Sequence, residues 1–206
     1  MATSNFSNNK YAEAIIYNKI ELPSLKQLDE NTILEWQQQL VLLVQGAAVE
    51  LEDKYPLIVI LSAFGVIHRF SPEMVLNTDK AHHYLIFDHQ PVSVLRPPEI
   101  ITKFSNWGKQ LQEQEIKQKP YQAEVSINIE NIYHNISEDD LETKIQKSLL
   151  EIAKLIFPSD RTVLIGQAPS LLFLLVYHLL LGKTGQIYYQ ADDKANPFNV
   201  SLSIWR

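Results

Sequence analysis

The best-formed group of chemistry-bearing residues in this sequence is Gly166-Gln167-Ala168-Pro169-Ser170. It stands between a short apolar run, 162–165, that reads as a strand and a longer one, 169–181, that reads as a helix. A glycine lets the chain turn sharply off a strand end, and the helix that follows presents unpaired backbone N–H groups and the positive end of its dipole. In open parallel sheets ligands collect outside the carboxyl ends of the strands. Gly166, Gln167 and Ser170 are therefore expected to face an anion or a nucleotide. The plainer alternative is a strand end and a helix start with no ligand. The group has neither the Lys-Ser/Thr pair of a P-loop nor a G-x-G-x-x-G.

A matching position is expected in the first half. Residues 57–61, Leu-Ile-Val-Ile-Leu, read as a strand buried on both faces, and Leu61-Ser62-Ala63-Phe64-Gly65 as the turn at its end. Ser62 would supply a hydroxyl and Gly65 a close backbone approach, so both join Gly166, Gln167 and Ser170 as ligand-binding candidates. A simple β-turn is the alternative.

Histidines gather between His68 and His89. On an extended strand His82 and His83 point to opposite faces, and His83 and His89 lie ~20 Å apart at ~3.3 Å per residue, too far to share one metal. No metal site and no cofactor are expected. Asp88-His89 could work as an acid/base pair with a group from elsewhere, whereas His178, among leucines, reads as a core or interface histidine. Asp192-Asp193-Lys194 reads as a solvated loop, and Arg96, Lys103, Lys109, Lys117 and Lys119, interrupted by glutamates, as an ordinary helical surface. No G-x-S-x-G, H-E-x-x-H or paired-carboxylate signature is present, so no catalytic residue is assigned.

The elements that must position these groups alternate between two periods. Residues 11–22 read as a strand, and Ile33, Trp36, Leu40, Leu43, Ala47 and Leu51 put one apolar stripe on a long helix. Residues 84–87 and 92–95 read as short strands, and Ile100, Phe104, Trp107 and Leu111 mark another helix. Residues 112–120 are polar and form the candidate internal boundary. Beyond it, Ala123, Val125, Ile127 and Ile129 alternate with polar residues as a half-buried strand. Ser137 and Asp140 fit a capping box for a helix striped by Leu141, Ile145, Leu149, Ile152 and Ile156. Strands over 186–190 and 198–205 close the chain.

The expected fold is thus α/β: a Rossmann-like, mainly parallel sheet flanked by helices, with a frayed arm over 1–10, an N-terminal half over 11–118 and a C-terminal half over 119–206. The halves are one domain or two, and either a duplication, with Ala12-Glu13 matching Ala123-Glu124 and Leu57 matching Val163, or two ordinary units that look alike.

The composition narrows the function. At 206 residues with 46% hydrophobic and 20% charged residues the chain can build a core, and a formal charge of −6 argues against long nucleic acids as partners. Without cysteine there is no disulfide, thiolate metal site or thiol nucleophile. The apolar run over 163–181 is broken by Gly166, Gln167 and Pro169, which leaves ~20 Å of helix against a ~30 Å hydrocarbon core, so no membrane span is expected. With no secretory layout at residues 1–10, a cytoplasmic location is expected. A helix apolar around its circumference must be buried on every side, so 171–181 is expected to form a homodimer surface or lie centrally in the domain.

Residues 162–173, a spacer and Gly185-Gln186-Ile187-Tyr188-Tyr189-Gln190 resemble the last strand-loop-helix-strand unit of CARF and SAVED domains and of CRISPR-associated ring nucleases. The resemblance covers the C-terminal third. It implies a Rossmann-like fold that binds cyclic oligonucleotide messengers of antiviral defence across a dimer or pseudo-dimer, with ligand contacts at Gly166, Gln167 and Ser170. A soluble nucleotide-binding protein is the first expectation. A ring nuclease or other phosphodiesterase using Ser170, His178 or one of His82, His83 and His89 is the second, and an assembly protein without a small ligand the third.

Overall fold

A computed structural model describes residues 15–22, 30–78, 82–89, 96–97, 99–102, 104, 111 and 119–201. The chain builds two α/β lobes. The first runs β1 (Asn18–Ile20), α1 (Glu30–Val44), β2 (Val49–Glu52), α2 (Leu57–Phe70), β3 (Glu73–Asn77), β4 (His83–Asp88) and β5 (Ile100–Ile101). The second runs β6 (Gln122–Asn128), α3 (Ile129–Asn135), α4 (Leu141–Leu155), β7 (Ser159–Ile165), α5 (Ser170–Leu180), β8 (Thr184–Gln190) and β9 (Phe198–Asn199). Each lobe has its own sheet, ordered β1-β2-β3-β4-β5 and β6-β7-β8-β9. The first three strands of each are parallel and the fourth antiparallel. The expected α/β, mainly parallel class holds, as two sheets rather than one.

Because each parallel strand is added one step further along, right-handed crossovers put the connecting helices of a lobe, α1 and α2 in the first and α4 and α5 in the second, on one face of its sheet. Burial agrees in the second lobe: Val125, Ile127, Ile187 and Tyr189 are buried, while Glu124 and Ser126 between them are exposed. Asp140 caps α4 by accepting from Thr143 N at 2.8 Å, so the cap is Asp140 itself and not Ser137.

Several expectations need correction. Residues 57–61 are the first turns of helix α2, not a strand: Pro56 sets the helix start, and Val59 through Ile67 are buried on every side, which erases the polar stripe that betrays a helix. The helix expected through Leu51 ends at Val44, and Leu51 belongs to β2, a strand the sequence pattern concealed. Residues 1–10, 91–95, 112–118 and 202–205, with Trp107, lie outside the described residues, and Ile100 stands in β5.

The halves are a structural repeat. One constant sequence offset carries 46–77 onto 159–190: Glu52 onto Ile165 at the strand ends, Pro56 onto Pro169 at the helix caps, and Asn77 onto Gln190. Matching hydrogen bonds follow the same offset, Gly46 N to Phe70 O (2.9 Å) with Ser159 N to Lys183 O (3.0 Å), and Asp53 N to Asn77 O (2.8 Å) with Gly166 N to Gln190 O (2.9 Å). The register differs from the expected one, which matched Leu57 to Val163 and so slipped by one element.

α2 and α5 join the lobes. Phe64 and Tyr177, which the same offset relates, meet edge to face with ring centroids 5.1 Å apart. Equivalent positions touching each other is the signature of an isologous contact, here within one chain. α5 also packs on β4, where Phe87 lies 6.4 Å from His178. In α5, Leu171 through Tyr177, Leu179 and Leu180 are at most 3% exposed. The helix expected to form a homodimer surface is therefore already covered by its own chain. Among the described residues, no helix is long and apolar enough to cross a membrane.

Within the first lobe an ionic cluster adds its own tie. Glu73, fully buried, accepts from Arg96 Nε (3.0 Å) and Nη2 (2.7 Å) and from the Tyr17 hydroxyl, while Arg96 also reaches Asp88. Burial against this carboxylate pushes the Tyr17 phenol well above its ordinary range. Phe64→Ala is expected to lower unfolding free energy by about 3–5 kcal/mol in denaturant titration. A loss below about 1 kcal/mol would show that the lobes do not share a core.

Candidate ligand site

At the carboxyl ends of β6, β7 and β8 the second lobe offers the expected strand-end position. Gly166 leaves β7 at φ +95°, a conformation that favours glycine. Gln167 is exposed and Ser170 half-buried at the first turn of α5. The structure places Gly166 at the end of β7, Gln167 in the turn and Ser170 at the first position of α5.

The amides, however, have partners inside the chain. Gly166 N–H donates to Gln190 O, and Gln167 N–H donates to the Glu130 carboxylate at 3.1 Å. Glu130 stands in the first turn of α3, which Asn128 caps by accepting from Asn131 N at 2.9 Å. Register explains the encounter: Asn128 pairs with Ile165, so the residue after next on one strand end meets the turn leaving the other. A Cβ on Gly166 would sit 2.7 Å from Glu130 Oε2 and overlap Glu130 Cβ, so this glycine also makes room for the carboxylate.

The surroundings are acidic. Burial raises the Tyr189 phenol pKa, and Glu130 and Asp192 raise it further. Asp192 is fixed in place, its Oδ1 accepting from Lys194 N (2.8 Å) and Ala195 N (2.9 Å). Two carboxylates and an amide already bonded to one of them make a poor phosphate cradle. They suit a group that donates hydrogen bonds, as the acidic residue of a dinucleotide fold does toward a ribose hydroxyl.

Ser62 and Gly65 lie elsewhere, in the buried middle of α2. The Ser62 hydroxyl donates to Ile58 O (2.8 Å), and its carbonyl accepts from Gln37 Nε2 (3.1 Å), which ties α2 to α1. By the repeat, the true counterpart of 166–169 is 53–56, where Lys54 pairs with Glu52 and stands 5.3 Å from the Tyr55 ring.

The histidines assemble at the opposite ends of the central helices. His68 Nε2 lies 3.1 Å from His178 Nδ1, and the His89 ring centroid is 4.6 Å from that of His68, with His89 Nε2 donating to the His68 carbonyl at 3.1 Å. Reading 57–61 as a strand hid this cluster, since His68 meets His178 only if both stand near helix C-termini. His83 lies 3.8 Å from Glu50, and His82 Nδ1 lies 3.3 Å from the Tyr84 hydroxyl, so neither joins the trio. Ser170 and His178 are eight residues apart on one helix, ~12 Å along its axis, and cannot exchange a proton directly. Among the described residues, no group of three or more His, Asp or Glu could hold a metal ion. Of the basic set, Arg96 is ion-paired and Lys119 caps α4 through the Ala153 and Lys154 carbonyls, while Lys103, Lys109 and Lys117 lie outside the described residues.

Comparison with protein-family models, with curated proteins and with solved structures finds no match for this chain.

Two outcomes test the site. Gly166→Ala is expected to cost more than the roughly 1–2 kcal/mol of left-handed backbone, and adding Glu130→Gly should recover the overlap share; no recovery in that double-mutant cycle would contradict the contact. Burial, then His178 and His89, hold the His68 imidazole down at about 3. The unfolded chain therefore binds more protons between that value and ~6.5, and stability should fall as pH drops through this window, by roughly 2 kcal/mol at pH 5. His68→Phe should flatten the profile of denaturation midpoint against pH, and an unchanged slope would contradict it.

Proposed function

We propose that this chain is a non-catalytic binding protein for a nucleotide-type ligand, of the cyclic oligonucleotide class used in antiviral signalling. The observation that carries the proposal is the internal repeat, which makes a single chain into a pseudo-dimer of Rossmann-like halves joined through equivalent residues of α2 and α5. That architecture agrees with what the resemblance of the C-terminal third implies.

The chemistry of the strand ends then selects which part of the ligand is read. With Glu130 seated on the Gln167 amide and Asp192 nearby, the second lobe favours a ribose hydroxyl or an adenine amino group, with phosphates turned toward solvent. This departs from the amide-to-phosphate mechanism expected from the sequence. Binding without cleavage is the proposed outcome, since Ser170 and His178 stand at opposite ends of α5.

Titrating the protein with cyclic and linear oligoadenylates should raise its melting temperature without yielding cleavage products. Glu130→Gln should weaken binding about tenfold, the scale of one charge-assisted hydrogen bond. Tighter binding by Glu130→Gln would mean that the carboxylate merely repels phosphate, and cleaved product would replace the binding reading with a phosphodiesterase.

A further inference from the structure

We propose that a second ligand site, for a small organic carboxylate with an apolar body, lies between the lobes at the C-terminal ends of α2 and α5. A cavity of about 360 Å³ opens there, with His68 and Arg69 from the first lobe and Tyr177, Leu181, Ile187 and Ser201 from the second among its walls. That volume is at the lower end of the small-ligand range and too small for an oligonucleotide, so the site is independent of the strand-end reading.

Charge decides the ligand class. Among the described residues no Asp or Glu lines the cavity, although the chain carries a formal charge of −6. Arg69 is exposed, its guanidinium 5.9 Å from the Phe70 ring, and it makes no hydrogen bond or ion pair among the described residues. A planar guanidinium beside apolar walls matches a carboxylate, which it can hold through two parallel N–H donors. Arg69, the one Lys or Arg among the described walls, is a poor match for a polyphosphate by itself.

The polar wall is also rigid. His178 holds one nitrogen of His68 at 3.1 Å, and the His89 ring packs edge-on against it. The Ser201 hydroxyl accepts from Ile187 N at 3.2 Å, so it keeps β8 in place and is not left for a ligand. Because the walls come from both lobes, an occupant would bridge them and add to the contact that Phe64 and Tyr177 make.

The test is calorimetric titration of the full chain with benzoate and hexanoate, and with benzyl alcohol and hexanol as uncharged counterparts. At least one carboxylate should bind saturably at millimolar concentration with one-to-one stoichiometry, about tenfold tighter than its alcohol. Arg69→Gln, an exposed change that leaves the core intact, should remove that preference, and Leu181→Trp should block binding by filling the cavity. No saturable binding of either carboxylate would overturn the proposal, as would equal affinity for acid and alcohol or undiminished binding in Arg69→Gln. None of these results depends on whether oligoadenylates bind.

Discussion

Two helices that are apolar almost all round set the terms for the rest of the molecule. α2 and α5 can each lay one side on their own sheet and another against α1 or α4, which leaves a third side that water would wet. Each supplies that cover to the other. Phe64 against Tyr177 marks the centre of the contact, and Phe87 extends it onto β4. A lobe taken alone would expose a strip of leucine, isoleucine and phenylalanine, so the two halves hold together for the reason an obligate dimer does. Inside the separate lobes, Lys119 on the α4 carbonyls and Arg96 on Glu73 fasten the periphery.

The same helix pair divides the molecule into chemically different ends. Where the strands finish and the helices begin, carboxylates prevail: Glu130 on the Gln167 amide, Asp192 in its turn, and Glu52 with Lys54 in the other lobe. Where α2 and α5 finish, three imidazoles and the Arg69 guanidinium gather, close in sequence to the Glu73–Arg96–Asp88 cluster, and a cavity opens between the lobes. A helix C-terminus favours positive charge, which accounts for Arg69 and for His89 on the His68 carbonyl.

Much of the second lobe was legible in the sequence. Strict alternation over 123–129 announced β6, and Gly166 with Pro169 announced the end of β7 and the start of α5. The first lobe hid because its central helix has no polar side: 57–67 offers no period, and its β-branched Ile58, Val59 and Ile60 imitate a buried strand. From that one misreading followed the placing of Ser62 and Gly65 at a turn, the separation of His68 from His178, and a repeat set one element out of register. The signal that could have corrected it was local. Pro56 and Pro169 each precede a largely apolar stretch of eleven residues or more, and only a helix of that length returns the chain to the next parallel strand. Glu130 was invisible for a different reason, since its partner is chosen by strand register and not by neighbours in sequence.

Native-state hydrogen exchange followed residue by residue tests the shared core most directly. If the lobes stand or fall together, the slowest amides of α2 and β3 and those of α5 and β8 exchange with a single opening free energy, equal to that of global unfolding, and respond in parallel to denaturant. Two distinct opening energies, with one lobe exchanging while the other stays protected, would contradict the interdependence of α2 and α5.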